Sequence, residues 1–290
     1  MAATREPSQQ ADLQFLFNTK RVWIMGVVNV TPDSFYAGGR SEDPVAALKR
    51  ARACLQGLAD VLDIGGESTR PGAAEVSTDE EVRRTAAVID AIHAESPSAA
   101  ISIDTRKSQV ARQAFDHGAS ILNDISALRH DPAMADVAAS YRVPVILMHM
   151  QGTPQTMQQN PRYTDVVADV KAFFEERLQF AVSRGIPEDR IVLDPGIGFG
   201  KTLEHNVTLL KRLPELAALG RPLLVGLSRK SFLGTLSAAG AEPLPAESRL
   251  EATLAANLWA VRQGAAGLRV HDVEATRRAL RTWEHLDGRG

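Results

Sequence analysis

From Arg21 onward, eight short apolar runs alternate with longer amphipathic stretches, and this rhythm limits the fold more than any other feature of the chain. The runs are RVWIMGVV, DVLDIG, AISID, SILND, PVILMH, RIVLD, PLLVGL and GLRV. Most lack the in/out alternation of a sheet with one wet face, which suits parallel strands covered on both sides. The stretches between them read as helices. STDEEVRRTAAVIDAIHAES sets Val82, Ala86, Ile89 and Ile92 on one face behind a Thr78–Glu81 capping box. DPVAALKRARACLQG opens with Asp43 and Pro44 and stops at Gly57, and TDVVADVKAFFEERLQFAVSRG carries Val167, Val170, Phe174, Leu178 and Ala181 before Gly185. Eight strands, nearly all followed by helices, give an α/β chain folded as a single (β/α)8 TIM barrel, with a doubly wound open sheet as the alternative. No linker divides the chain, and 290 residues suffice for one barrel.

The polar residues decide between the two. The strands run into Asn29, Asp63, Asp104, Asn123-Asp124, His149, Asp194, the SRKS stretch, and Arg269 with His271. An open sheet would spread these ends along a line, whereas a closed barrel gathers them around one mouth, where barrel chemistry resides. The expected site is therefore at the C-terminal ends of the strands. Asp104, Asn123 and Asp194 are short hydrogen-bonding groups suited to a flat heterocycle. Arg70, Lys230, Arg269 and His271 supply the opposite sign for a phosphate or diphosphate. Arg269 and His271 lie two apart, so an extended backbone points them the same way. Asp63 is read as a cap or brace of the second loop, His149 and His117 as packed or solvated histidines rather than ligands, and Arg177, Arg277 and Arg278 as charges on solvated helix faces.

A formal net charge of −2 gives no global pull toward nucleic acid or membrane. The lone cysteine, Cys54, rules out an internal disulfide and reads as a buried spectator. No run approaches the ~18 apolar residues of a bilayer span. The expectation is a soluble cytoplasmic protein with a flexible N-terminal tail over residues 1–16 and the barrel over 17–290.

The stretch DPGIGFGKT, residues 194–202, imitates a nucleotide-binding loop. A G-x-x-x-x-G-K-[ST] loop needs glycine where Pro195 stands, and proline has no N–H to aim at phosphate. Gly196, Gly198 and Gly200 instead suit a tight backbone turn over the barrel mouth.

The ordered set MGVVNVTPDSF, DIGGESTRPGA, ISIDTRK, LNDIS, LMHMQG, LDPGIGFGK, LLVGLSRKSFLG and LRVHDV, spanning residues 25–273, resembles the successive motifs of the dihydropteroate synthases. That resemblance implies condensation of 6-hydroxymethyl-7,8-dihydropterin diphosphate with p-aminobenzoate. It implies Asp104, Asn123, Asp194 and Lys230 around the pterin, with Met148 and Phe199 in the apolar wall. Asn29 would ligate Mg²⁺, the implied cofactor. Arg70, Arg269 and His271 would bind diphosphate with Thr69 beside them, and Asp33 would support the developing cation. Phe35 and Pro71 would close over p-aminobenzoate, where sulfonamides compete, with Ser231 near its carboxylate. A homodimer is implied as well.

The chain departs from the family pattern at Tyr36-Ala37 and in NDISALRHD, where ND-x-S-Gly-Gly is commoner. A pterin-binding methyltransferase domain or a non-catalytic pterin-binding relative stays as the alternative, although neither calls for GESTRPG, SRKS and the Arg269/His271 pair together.

Overall fold

The computed structural model describes residues 12–18, 21–30, 44–69, 72–238, 240 and 242–288. Eight parallel strands close into a barrel in chain order. They are β1 (Trp23–Asn29), β2 (Val61–Gly65), β3 (Ala100–Asp104), β4 (Ile121–Asp124), β5 (Val145–Met148), β6 (Ile191–Asp194), β7 (Leu223–Val225) and β8 (Ala265–Val270). Around them lie α1 (Pro44–Gln56), α2 (Thr78–Glu95), α3 (Ser108–His117), α4 (Met134–Tyr141), α5 (Val166–Ser183), α6 (Leu203–Lys211), α7 (Leu213–Ala217), α8 (Ser231–Ser237), α9 (Leu250–Arg262) and α10 (Val273–Leu286). The pairing of β1 with β8 closes the ring and excludes the open sheet.

The continuous apolar runs have a simple cause. Alternate side chains face the barrel interior and the helical ring, and both environments are dry, so β2 to β7 are buried at every position. The interior fills from the floor with Trp23, Met25, Val61, Ala100, Ile121, Ile146, Val192 and Leu224. Leu16 joins them, fully buried, from a 3₁₀ turn over Gln14–Phe17. Leu13, Phe15, Leu16 and Phe17 therefore close the barrel floor, and the N-terminal tail expected through residue 16 ends earlier, because an open floor would leave Trp23 and Met25 in water.

Four local readings change. The α2 cap is Ser77, whose hydroxyl accepts from the Glu80 N–H, so Thr78 is already helical. The buried face runs through Glu81, Thr85, Val88, Ile89 and Ile92, and includes a carboxylate because Lys107 reaches it at 2.6 Å. Arg177 is buried rather than solvated, stacked 4.4 Å from the Phe180 ring, and Arg277 pairs with Asp60 and with the Leu58 carbonyl. Cys54 is buried and free, as expected.

Packing is close where β8 passes the floor indole. A Cβ on Gly267 would sit 2.4 Å from Trp23 Cζ2, and Trp23 has no space to retreat. Gly267→Ala is expected to cost about 1–3 kcal/mol, read as a lower denaturant midpoint at unchanged slope. An unchanged midpoint would show the floor to be loosely packed.

Candidate active site

Register sets the height of the site. Asn29 pairs with Gly65, Gly65 with Asp104, and Asp104 with Asn123, so these residues share one level on four neighbouring strands. Gly65 brings no side chain into that ring. A Cβ there would lie 3.7 Å from Asp104 Oδ2 and 3.9 Å from Asn29 Oδ1, so its absence leaves the two oxygens a common corner. On the next strands Met148 pairs with Asp194.

Asp63 lies two residues before Gly65 and faces inward one layer down. It is fully buried, and its Oδ2 accepts from Arg269 Nε at 2.6 Å and from Asn123 Nδ2 at 3.2 Å. Arg269 Nη2 donates to Asp104 Oδ2 at 2.8 Å. Asp63 is thus no loop brace but the central acceptor of the barrel interior, and the clean division between an acceptor pocket and a cationic rim does not hold. Arg269 belongs to both, because a buried carboxylate needs a charged partner. Burial pushes Asp104 up to about 7, with Arg269 opposing and Asp63 adding to the rise. Burial alone would lower the Arg269 pKa, but the two carboxylates outweigh it and raise it.

Across the mouth, Asp194 is buried, and its Oδ1 accepts from the Gly196 N–H at 2.7 Å. Burial raises its pKa, against the pull of the Lys230 ammonium. The glycine-rich loop after it is a left-handed device, with φ of 62°, 85° and 62° at Gly196, Gly198 and Gly200. A Cβ on Gly196 would fall 1.9 Å from the His149 carbonyl oxygen, so glycine is required there twice over. The loop wraps around Lys201, which is 3% exposed. Its Nζ donates to the carbonyls of Gly196 and Phe199, both at 3.0 Å, and lies 2.9 Å from His149 Nδ1. Burial, then the neighbouring Lys230 charge, pull its pKa well below the usual lysine range. The lysine that suggested a phosphate loop points inward and holds the loop shut.

Lys230 caps this side. Its Nζ donates to the Ile197 carbonyl and stands 4.7 Å from the centre of the Phe199 ring. Burial brings its pKa down to about 8, with Asp194 opposing. Phe199 packs on a small apolar cluster of Ile125, Met148, Met150 and Met157. At the β7–β8 side, Ser228 Oγ accepts from the His271 main-chain N–H at 3.1 Å and lies 3.0 Å from its Nδ1. Burial, then Arg269 and Arg50, lower the His271 pKa to about 4, so it contributes no positive charge at pH 7. This corrects its place among the cations.

After β4, Ala127 and Leu128 take left-handed φ of 52° and 63°, where the family pattern has glycines. Asp124 holds the turn: its carboxylate accepts from Ser126 N–H (2.7 Å), Ser126 Oγ (2.6 Å) and Leu128 N–H (2.8 Å). Burial of both side chains offsets the strain.

Asn29, Asp104, Asn123, Met148, Asp194, Phe199, Lys230, Arg269 and His271 therefore all stand at the barrel mouth. Thr69 is half-buried on the loop after β2, and Ser231 is exposed as the first residue of α8. Asp33, Phe35, Arg70 and Pro71 lie outside the described residues. Among the described residues no group of three or more His, Cys, Asp or Glu could hold a metal. The Asn29 oxygen at the Asp104 corner nonetheless suits a hard dication that keeps water and substrate oxygens as its other ligands. Sequence reasoning missed the parts played by Asp63, Lys201, His149 and Ser228. The polarity of a strand interior was the available signal for Asp63. The others lie inside the quoted motifs LMHMQG, LDPGIGFGK and LLVGLSRKSFLG, but each holds loop backbone or a side chain distant in sequence, a partnership that spacing along the chain does not reveal.

Lys201→Met would strand two backbone carbonyls and the His149 ring in a dry site. It is expected to cost about 3 kcal/mol, measured by chemical denaturation. A loss below about 0.5 kcal/mol would show the loop to be held by other contacts.

A family model described as pterin-binding enzyme matches residues 25–271. The dihydropteroate synthase of Escherichia coli is 47% identical over 261 residues, covering 90% of this chain and 90% of that protein. Among solved structures, the Xanthomonas albilineans dihydropteroate synthase with 4-aminobenzoic acid superposes with a TM-score of 0.86 at 45% identity, covering 93% of this chain and 94% of that one. The same enzyme in complex with 7,8-dihydropteroate gives a TM-score of 0.83 at 42% identity, covering 93% and 95%. On this identity and coverage, joined to the barrel and its mouth, the chain belongs to the pterin-binding enzymes and, among them, to the dihydropteroate synthases.

Proposed function

We infer that this chain joins p-aminobenzoate to 6-hydroxymethyl-7,8-dihydropterin diphosphate, giving 7,8-dihydropteroate and diphosphate, a step of folate biosynthesis. One observation carries the reading. The buried acceptors Asp194, Asn123 and Asp104 share a single barrel mouth with the donors Lys230, Arg269 and His271. A flat ring rich in N–H groups and an anionic leaving group need that combination side by side.

The residue roles follow from the chemistry of each group. Asp194 receives the paired N–H groups of the 2-amino/N3 edge of the pterin, with Asn123 and Asp104 on the remaining edge. Met148 and Phe199 cover the ring, and Lys230 donates to it across the Phe199 face. Arg269 has two of its N–H groups on Asp63 and Asp104 and offers the rest to diphosphate. His271 adds a neutral hydrogen bond. Magnesium, when bound, neutralises charge on the diphosphate oxygens, and Asn29 would hold it. Loss of diphosphate leaves a methylene cation that the electron-rich dihydropterin delocalises; the aniline nitrogen attacks it, and the ammonium so formed gives its proton to the departing diphosphate or to water. That nitrogen is already neutral at pH 7, so no strong general base is required. Preorganised donors at the leaving group are then the main source of rate. Arg70, Asp33, Phe35, Pro71, Thr69 and Ser231 keep the roles that the family resemblance implies. We further place the enzyme in the cytoplasm as a homodimer. No helix among the described residues is long and apolar enough to cross a membrane.

The decisive assay is diphosphate release with both substrates, with and without Mg²⁺. Release should require p-aminobenzoate and the metal. A chain that binds pterin without releasing diphosphate would be a non-catalytic relative, and the proposal would fail. Asp194→Asn turns one acceptor into a donor facing the ring's own donors, and should weaken pterin binding about tenfold or more by calorimetry. Wild-type affinity in that variant would remove Asp194 from the site.

A pH dependence follows from Lys230. Its folded pKa of about 8 lies below the usual lysine value, so the free enzyme carries the charge at pH 7 and loses it as pH rises through 8. The ratio kcat/KM for the dihydropterin diphosphate should fall on that limb. Lys230→Arg should abolish the limb, and its persistence in that variant would assign the limb to another group.

A further inference from the structure

His271 is fixed by its main chain before its side chain does anything. Its N–H donates to Ser228 Oγ at 3.1 Å, and its carbonyl accepts from the Arg50 guanidinium and from the Val273 N–H at 3.2 Å. The imidazole Nδ1 then comes to rest 3.0 Å from the same Ser228 oxygen. A serine hydroxyl has one proton and two lone pairs. One lone pair is taken by the His271 main-chain N–H, which leaves the hydroxyl proton free to be donated to Nδ1. Ser228 is 8% exposed, so water is a poor substitute. Were Nδ1 to carry the proton, the oxygen would accept twice and the hydroxyl would lose this partner, the costlier arrangement in a buried site.

The loop carrying Ser228 is itself held to the residue after His271. Arg229, in a left-handed conformation with φ of 56°, clamps Asp272 through Nε at 2.8 Å and Nη2 at 2.7 Å. The Arg229 N–H donates to Thr253 Oγ1 at 3.0 Å. Ser228 and His271 are thereby held in one register from both segments.

We propose that Ser228 is a positioning residue that sets the tautomer of His271, keeping the ring neutral with its proton on Nε2, so that diphosphate meets a hydrogen-bond donor rather than a cation. The diphosphate half of this rests on the function inferred above. The surrounding charges agree. Burial opposes a second proton on the ring most strongly; Arg269 on β8, Arg50 on α1 and Arg229 on the loop after β7 oppose it too, and among the described residues Asp272 favours it. A neutral donor stabilises charge as it appears on the leaving group without trapping the product in a tight ion pair.

The test is the ¹⁵N spectrum of the histidine rings in the full-length, ligand-free protein between pH 6 and 8. The His271 signals are identified as those missing from His271→Asn among the seven histidines of the chain. An unprotonated Nδ1 and a protonated Nε2 across the whole range are expected. Ser228→Ala should give mixed tautomers and Ser228→Thr the wild-type pattern, a readout that loss of packing alone would not produce. Inorganic pyrophosphate should move the Nε2 signal and bind about tenfold more weakly to Ser228→Ala. A protonated Nδ1 in the wild-type protein overturns the proposal without recourse to any variant, as does an unchanged tautomer in Ser228→Ala. Pyrophosphate that leaves the His271 signals unmoved while Nε2 carries the proton overturns the diphosphate role of His271 instead, which separates the two failures.

Discussion

The Arg269 guanidinium, lodged between Asp63 and Asp104, is the interaction on which the site depends. It ties the last strand to the second and third across the barrel interior, and Asn123 joins from the fourth through the same Asp63 carboxylate. A carboxylate as deeply buried as Asp63 is tolerable only with a charged partner, and breaking such a pair costs roughly 3–5 kcal/mol. The same contact makes Arg269 a structural residue as well as a proposed diphosphate ligand. Its loss would disturb Asp63 and Asp104 together, so under the proposed roles binding and turnover cannot be divided cleanly between the two kinds of residue.

Around that centre, the mouth is built by anchoring loops rather than by adding reactive groups. Lys201 gathers the glycine-rich loop onto backbone carbonyls, which brings the Ile197 carbonyl and the Phe199 ring to Lys230. Asp124 fixes the turn after β4 although Ala127 and Leu128 occupy left-handed positions. Arg229 and Asp272 lock the two loops that end in Lys230 and His271. Each anchor is a buried or half-buried charge with directed hydrogen bonds. Together they preorganise the donors, as leaving-group chemistry requires.

Much of this was legible in the chain. The strand runs were readable because both faces of a parallel strand are dry, and the site because every strand passes from apolar residues to a polar end. Pro195 alone disqualified the phosphate-loop reading of DPGIGFGKT. What stayed hidden were partnerships. Asp63 and Arg269 are 206 residues apart, so nothing local marks them as a pair. Lys201 binds largely to main-chain carbonyls, which every residue possesses. His271 looked like a cation because sequence reports residue type and not burial.

The sequence by itself determined the barrel, the end of it that carries chemistry, and the residue types available there, because periodicity and polarity are local properties. Only the tertiary structure decided which charges neutralise one another, that Leu13, Phe15, Leu16 and Phe17 close the floor, and that Lys201 serves the fold rather than a phosphate. The physical reason is dielectric. Burial makes a charge depend on its nearest partner, and closure of the barrel chooses that partner.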